Sequence, residues 1–183
     1  MNTLLRRMTR AALLDADTYE EVEADRSSLG QAAFVVGLAC AAIASAQVWH
    51  GVRAGFASDR LAFQVVLAAL EPLVLWIGGS AFAYMVGATF FRGRETQTDF
   101  LEVLRTTGFA FTPALLRALI VVPPAALGLS LGLVARAWTF AAVVVAIRQA
   151  LDFDTPRAIG TFGAAALLLW LVLWGASIAP LPF

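Results

Sequence analysis

Lysine is missing from these 183 residues, so every basic side chain is one of thirteen arginines, balanced by thirteen acids. With charge so evenly matched, a basic stripe for nucleic acid is not to be found, and no nucleic-acid partner is expected. Cysteine occurs once, at Cys40, which rules out an intramolecular disulfide and a cysteine-based metal site. Amid small apolar neighbours it reads as an inert buried thiol. Histidine also occurs once, and His50 lies just past an apolar run, an ordinary place for an interfacial polar residue. One histidine and one cysteine leave almost nothing for a catalytic dyad or a zinc centre. No enzyme activity, catalytic residue, cofactor or metal is therefore expected. Charge itself is scarce: 14% of residues are charged and 60% hydrophobic, against about 25% and about 45–50% in soluble domains. A water-soluble fold would lack the polar surface to cover such a core. The expected class is all-α, a polytopic integral membrane helical bundle whose first partner is the lipid bilayer.

Residues 1–28 read as a cytoplasmic, amphipathic and acidic N-terminal segment. Arg6, Arg7 and Arg10 interrupt its start, so it has no secretory apolar region. Leu4, Leu5, Met8 and Ala12 share one helical side, which suits either an interfacial helix on an anionic leaflet or a solvated helix packed on its neighbours. Asp15, Asp17, Glu20, Glu21, Glu23 and Asp25 follow. Thr18 with Glu21 three residues on has the capping-box pattern, and the acids are expected mostly to form a solvated face rather than a metal site.

Apolar runs then predict five spans, within a transmembrane domain at 29–179 and ahead of a short tail at 180–183. The first, 29–49, is uncharged and long enough for a hydrocarbon core of roughly 30 Å. Its small residues Ala33, Gly37, Ala41 and Ser45 recur every fourth position, a stripe on which another helix can pack closely. The second, 68–91, carries Gly79, Ala83 and Gly87 in the same manner. It either starts afresh at Pro72 or forms the lower part of one kinked helix from Leu61, and the continuous form fits slightly better. A water-facing stretch, 92–105, is capped by Thr98 or Asp99 and leads to the short third span, 107–122. Thr112-Pro113 should kink that span, the threonine hydroxyl serving a freed carbonyl. Pro123-Pro124 turns the chain into the fourth span, 126–147, closing a tight membrane hairpin. A charged elbow follows, in which Asp154 or Thr155 caps the fifth span, 158–178, and Pro156 occupies its first turn. Asp152 and Asp154 read as part of this helix start rather than as a metal pair. Trp170 and Trp174 approach the interface.

Arginine placement tests the parity. With five spans Arg6, Arg7, Arg10, Arg26, Arg92, Arg94, Arg105, Arg148 and Arg157 share one side and only Arg53 and Arg60 face the other, nine against two. A re-entrant third segment would reduce this to seven against four. The stronger bias predicts a cytoplasmic N-terminus and an external C-terminus in a cell inner membrane.

The order of elements resembles the Yip (Ypt-interacting protein) domain family. The matching pieces are YEEVEAD before the first span, DFLEVLRTTGFAFTPALLRAL entering the third, the VVPP turn, the Trp138-bearing fourth span, and AIRQALDFDTPRAIGTF into the fifth. This resemblance implies a five-span bundle. Eukaryotic members are associated with vesicle trafficking and small-GTPase partners. The missing lysine and the Ala/Arg/Gly/Leu bias point to a GC-rich bacterial gene, so that the resemblance leaves the function open.

Glu71, Arg117 and Arg136 are the polar residues in or beside spans, and a charge there normally has a partner or a task. Depth makes Arg117 a partner for Glu71 near the interface, and Arg136 a partner if Glu71 lies deeper; the plainer alternative is that Glu71 simply caps its span at the outer interface. The expected function is a non-enzymatic membrane scaffold or accessory subunit, binding other membrane proteins or itself through the small-residue stripes. The alternative is a small transporter or channel component that uses Glu71, Arg117 and Arg136.

Overall fold

The computed structural model describes residues 3–90, 99–121 and 125–178. Among these residues the chain is helical throughout, with no strand. An N-terminal pair, α1 (Thr3–Ala12) and α2 (Ala16–Ala24), precedes the long helices α3 (Ser28–Arg53) and α4 (Ser58–Phe90). Next come the short α5 (Phe100–Phe109) and a 3-10 helix (Thr112–Val121), then α6 (Ala125–Ala150) and α7 (Thr155–Ile178). Among the described residues four helices are long and apolar enough to cross a membrane: α3, α4, α6 from Leu127 and α7 as far as Gly175. The expectations for Arg92, Arg94, Thr98, Pro123-Pro124 and the 180–183 tail concern positions outside the described residues.

Side-chain contacts set the directions of the helices. Helices α3 and α4 are antiparallel, with Gln47 donating to Gln64 at 2.9 Å near their shared loop and Cys40 beside the Leu73 backbone further along. Helices α4 and α6 run the same way: Glu71 meets Arg136 at one level, and Gly87 meets Leu151, just past the end of α6, at the other. The chain between them therefore has to return along the bundle. It does so in register with α4, Phe100 lying edge-on to Tyr84, Thr107 bonded to Ser80 at 2.7 Å, and Arg117 reaching Glu71.

This returning segment is broken more sharply than the helix kinked at Thr112-Pro113 that is expected at 107–122: α5 ends at Phe109 and a 3-10 helix follows. From Ala110 the backbone tightens: the N–H groups of Ala110, Phe111 and Ala114 donate to carbonyls three residues back. Pro113 is the cause, since it has no N–H for the Phe109 carbonyl and its ring disfavours a regular α-turn before it. The Thr112 hydroxyl takes that carbonyl instead, at 2.7 Å. Pro72, by contrast, lies buried inside an uninterrupted α4, the continuous form of the two considered.

The N-terminal pair packs on the bundle. Arg7 is buried, with Nε 2.9 Å from Glu21 and a terminal nitrogen 2.8 Å from Asp25, and it also donates to Gln31. Burial alone would lower the Arg7 pKa, but the hydrogen bonds to Asp25 and Glu21 outweigh it and raise the value. Arg6 pairs with Glu21 and Arg10 with Asp15, so these acids serve as counter-ions rather than only as a solvated face. Thr18 does not start α2. Leu14 turns the chain through a left-handed conformation (φ 62°), which places Asp15 at the N-cap position, and the Thr18 hydroxyl donates to its carboxylate. Tyr19 donates to the Ala11 carbonyl, and the indole of Trp138 to that of Ala12 at 2.7 Å. Helix α5 approaches α3 so closely that a Cβ on Gly108 would lie 2.7 Å from the Ala32 methyl.

Where α2 meets α5 and the elbow, Glu23 is half-buried. Burial first, then the neighbouring charges of Asp152 and Glu102, push its carboxyl up to about 7 against the pull of Arg105. A folded-state value above the unfolded one means the native state binds the proton more tightly, so the associated stability is present at low pH and is lost as pH rises through about 7. Discounted for the exposed half of the side chain, this is about 1 kcal/mol, or about 2–4 °C for a chain of this size. The thermal midpoint is expected to fall by that amount as pH rises from about 4.5 to about 7, and Glu23→Gln to flatten the slope. An unchanged slope in the variant would assign the pH dependence to another group.

Candidate functional site

Exposed large apolar side chains form a belt. On α4 it runs from Phe63 to Phe90, on α6 from Leu127 to Phe140, and on α7 from Ile159 to Trp174. Glu71 and Arg136 sit inside it rather than at its edge. A charge at such a depth costs about 2.5–3.5 kcal/mol on insertion scales, so its partners decide whether the arrangement is stable.

The structure brings Glu71, Arg117 and Arg136 together. Arg117 on the 3-10 helix approaches Glu71 Oε2 at 3.4 Å, and Arg136 on α6 approaches Oε1 at 3.2 Å. One carboxylate is shared by two guanidiniums, leaving a formal charge of +1. The two arginines are placed differently: the Arg117 side chain is 19% exposed and that of Arg136 49%. Arg117 is the enclosed partner, and Arg136 stands at a rim.

That rim belongs to a cavity of about 440 Å³ bounded by α4, α6 and α7, with Thr107 and Phe111 at its back. Trp76, Phe140, Phe162 and Leu169 give it apolar walls, and Glu71 with Arg136 marks its charged end. Part of the back wall is fixed by hydrogen bonds, Trp76 donating its indole N–H to the Leu104 carbonyl at 2.8 Å and the Ser80 and Thr107 hydroxyls bonding to each other at 2.7 Å.

The two small-residue stripes differ. On α4, Ala83 and Gly87 are buried, Gly87 against Leu151 and Phe153, while Gly79 lines the cavity. On α3, Ala33, Gly37, Ala41 and Ser45 are all exposed, and a Cβ on Gly37 would meet nothing within 4 Å. At the elbow, Asp154 accepts the Arg157 N–H at 3.0 Å, so that its side chain caps α7. Thr155 and Pro156 follow as exposed first-turn residues. Before the cap, α6 ends with Phe153 N–H bonded to the Arg148 carbonyl and Asp152 at a φ of 51°.

Sequence reasoning passed over Arg105, placing it on a water-facing stretch. It is 4% exposed, donating to the Glu23 carbonyl at 2.6 Å and lying 3.9 Å from Glu102. The capping box of Asp99 and Glu102 starts α5 just before it and directs it inward against α2. Trp76 and Trp138 were also missed as docking residues, although an indole inside an apolar run has to find an acceptor.

A family model described as the Yip1 domain matches residues 12–177. Comparison with curated proteins and with solved structures finds no match.

Sharing of Glu71 has an ordered consequence. Arg136→Gln leaves a neutral Glu71–Arg117 pair, whereas Glu71→Gln leaves two guanidiniums facing each other. Removing the common partner strands charge, and with the cluster partly exposed the difference is about 1–2 kcal/mol. Thermal unfolding in detergent is expected to rank Glu71→Gln as the more destabilised variant. Equal losses would mean that the carboxylate is not shared.

Proposed function

The chain belongs to the Yip1 domain family, and from that premise we propose that it acts as a membrane scaffold or accessory subunit. In this role it uses no chemistry of its own and holds other membrane proteins, or a second copy of itself, against its helices. The observation that carries this reading is the α3 stripe. Ala33, Gly37, Ala41 and Ser45 lie exposed along a helix long enough to cross a bilayer. Association in lipid depends on backbone approach and van der Waals contact rather than on hydrophobicity. On α4 Ala83 and Gly87 are buried inside the fold, whereas all four residues of the α3 stripe are exposed and a Cβ at Gly37 would meet no neighbour within 4 Å.

The proposed topology has five crossings, the returning segment of α5 and the 3-10 helix making one of them. Support comes from the parallel course of α4 and α6, which requires a return between them. Their combined length, about 15 Å of α-helix and about 20 Å of 3-10 helix, suffices for a core of roughly 30 Å. The N-terminal pair and the elbow then share the cytoplasmic side, where the arginines accumulate, with the C-terminus opposite in an inner membrane.

A bulky residue in the stripe tests the reading. Gly37→Leu should leave the thermal midpoint within about 1 °C, because no atom of this chain occupies that space. Recovery of copurifying membrane protein, or of the cross-linked homo-oligomer, should fall at least about fivefold, the equivalent of about 1 kcal/mol. Undiminished recovery would remove α3 as the binding face.

A further inference from the structure

We propose that the cavity between α4, α6 and α7 binds one acyl chain of an anionic amphiphile, its head group held by Arg136. Three observations carry this. First, the cavity is apolar over most of its wall, and its volume of about 440 Å³ lies within the range of small-ligand sites, about 300–1,000 Å³. It is elongated: the lining residues of α4 extend from Glu71 to Ser80, about 14 Å at helical rise. A narrow apolar slot of that length suits an extended hydrocarbon chain better than a compact polar solute.

Second, the slot opens within the apolar belt. Leu75, Phe140, Trp170 and Leu173 line it and are also exposed, so its mouth faces the surroundings of the belt rather than an aqueous end. A ligand entering there comes from the hydrocarbon phase.

Third, the charged end is not electrically balanced. Glu71 serves both Arg117 and Arg136, leaving a net positive charge beside the opening, and Arg136 is the half-exposed member. An anionic head group, phosphate or carboxylate, at this rim neutralises the excess while its chain fills the slot. A zwitterionic head brings a cation to a site that already holds one too many. The selectivity is therefore for negative heads, and it resides in Arg136. Arginine suits the task, since its planar fork matches either oxyanion.

Tryptophan fluorescence tests the assignment on the full chain in detergent, because Trp76 and Trp170 line the cavity and bromine on an acyl chain quenches indoles at contact. Dibrominated phosphatidylglycerol, phosphatidylcholine and stearate are titrated separately, with the unbrominated lipids as competitors. At least one anionic probe is expected to quench at about one-tenth the concentration needed for phosphatidylcholine, the equivalent of about 1.4 kcal/mol. Phosphatidylglycerol alone doing so identifies a bilayer lipid as the source, and stearate alone a free fatty acid. Arg136→Gln should erase the preference over phosphatidylcholine, and Arg136→Lys should keep most of it. Gly79→Leu projects a side chain into the cavity from a position with open space, and should abolish competable quenching by every probe while Arg136 is intact. Equal affinity for phosphatidylcholine, a preference that survives Arg136→Gln, or quenching undiminished in Gly79→Leu would each overturn the proposal. Should Arg136→Gln fail to fold, the Gly79→Leu result decides.

Discussion

One carboxylate joins three separate parts of the chain inside an apolar belt. Glu71 belongs to α4, and the guanidiniums it serves come from the 3-10 helix and from α6. Each charge alone would be costly at that depth; together they are tolerable only while the three segments hold their mutual positions. The 3-10 helix needs this most. It lacks the regular bonding of an α-helix, and Arg117 ties it to α4 across the bundle. The same sharing leaves Arg136 only partly committed and gives the cavity its charged rim. Stability and the binding proposed for the cavity thus both rest on one ion cluster.

The other end of the bundle is held by different means. There hydrogen bonds to main-chain carbonyls tie α2 to α1 (Tyr19 to Ala11) and the pair to α6 and α5 (Trp138 to Ala12 and Arg105 to Glu23). The Tyr19 bond satisfies a buried polar group that would otherwise cost about 1–3 kcal/mol, and the other two lie part-buried. Gly108 lets α5 come against Ala32, and Asp99 with Glu102 fixes where α5 begins. The apolar belt is less tightly enclosed, with exposed side chains on every long helix, as suits a surface solvated by lipid. Both surfaces assigned to partners, the α3 stripe and the cavity mouth, lie on those long helices rather than in the N-terminal pair.

Much of this was legible in the sequence, because hydrophobicity and arginine placement act locally. The membrane class, the four long helices and the residues of the charged cluster all follow from runs and exceptions within runs. Even the Thr112 hydroxyl on a carbonyl freed by Pro113 follows from a dipeptide. What was not legible depends on which surfaces meet. The α3 and α4 stripes are alike in sequence, yet the α3 residues are all exposed while Ala83 and Gly87 of α4 are buried, because that part of α4 packs against the elbow. Arg105 reads as solvated because it ends a stretch rich in charge, 92–105; its burial requires α2 to lie over it. The 3-10 form of 112–121 was missed because apolar periodicity over so few residues does not separate it from an α-helix.

Membership of the Yip1 domain family describes the membrane class without supplying a chemistry, and the charged cluster is where a physical measurement bears most directly on the account. A double-mutant cycle of Glu71→Gln and Arg117→Gln, read by thermal and denaturant unfolding in detergent, isolates the pairwise term. The account predicts that the double variant recovers part of the summed losses, with a coupling of about 0.5–3 kcal/mol. Losses that simply add would show that Glu71 and Arg117 do not hold each other, and with that the charged anchor of the fold would be lost.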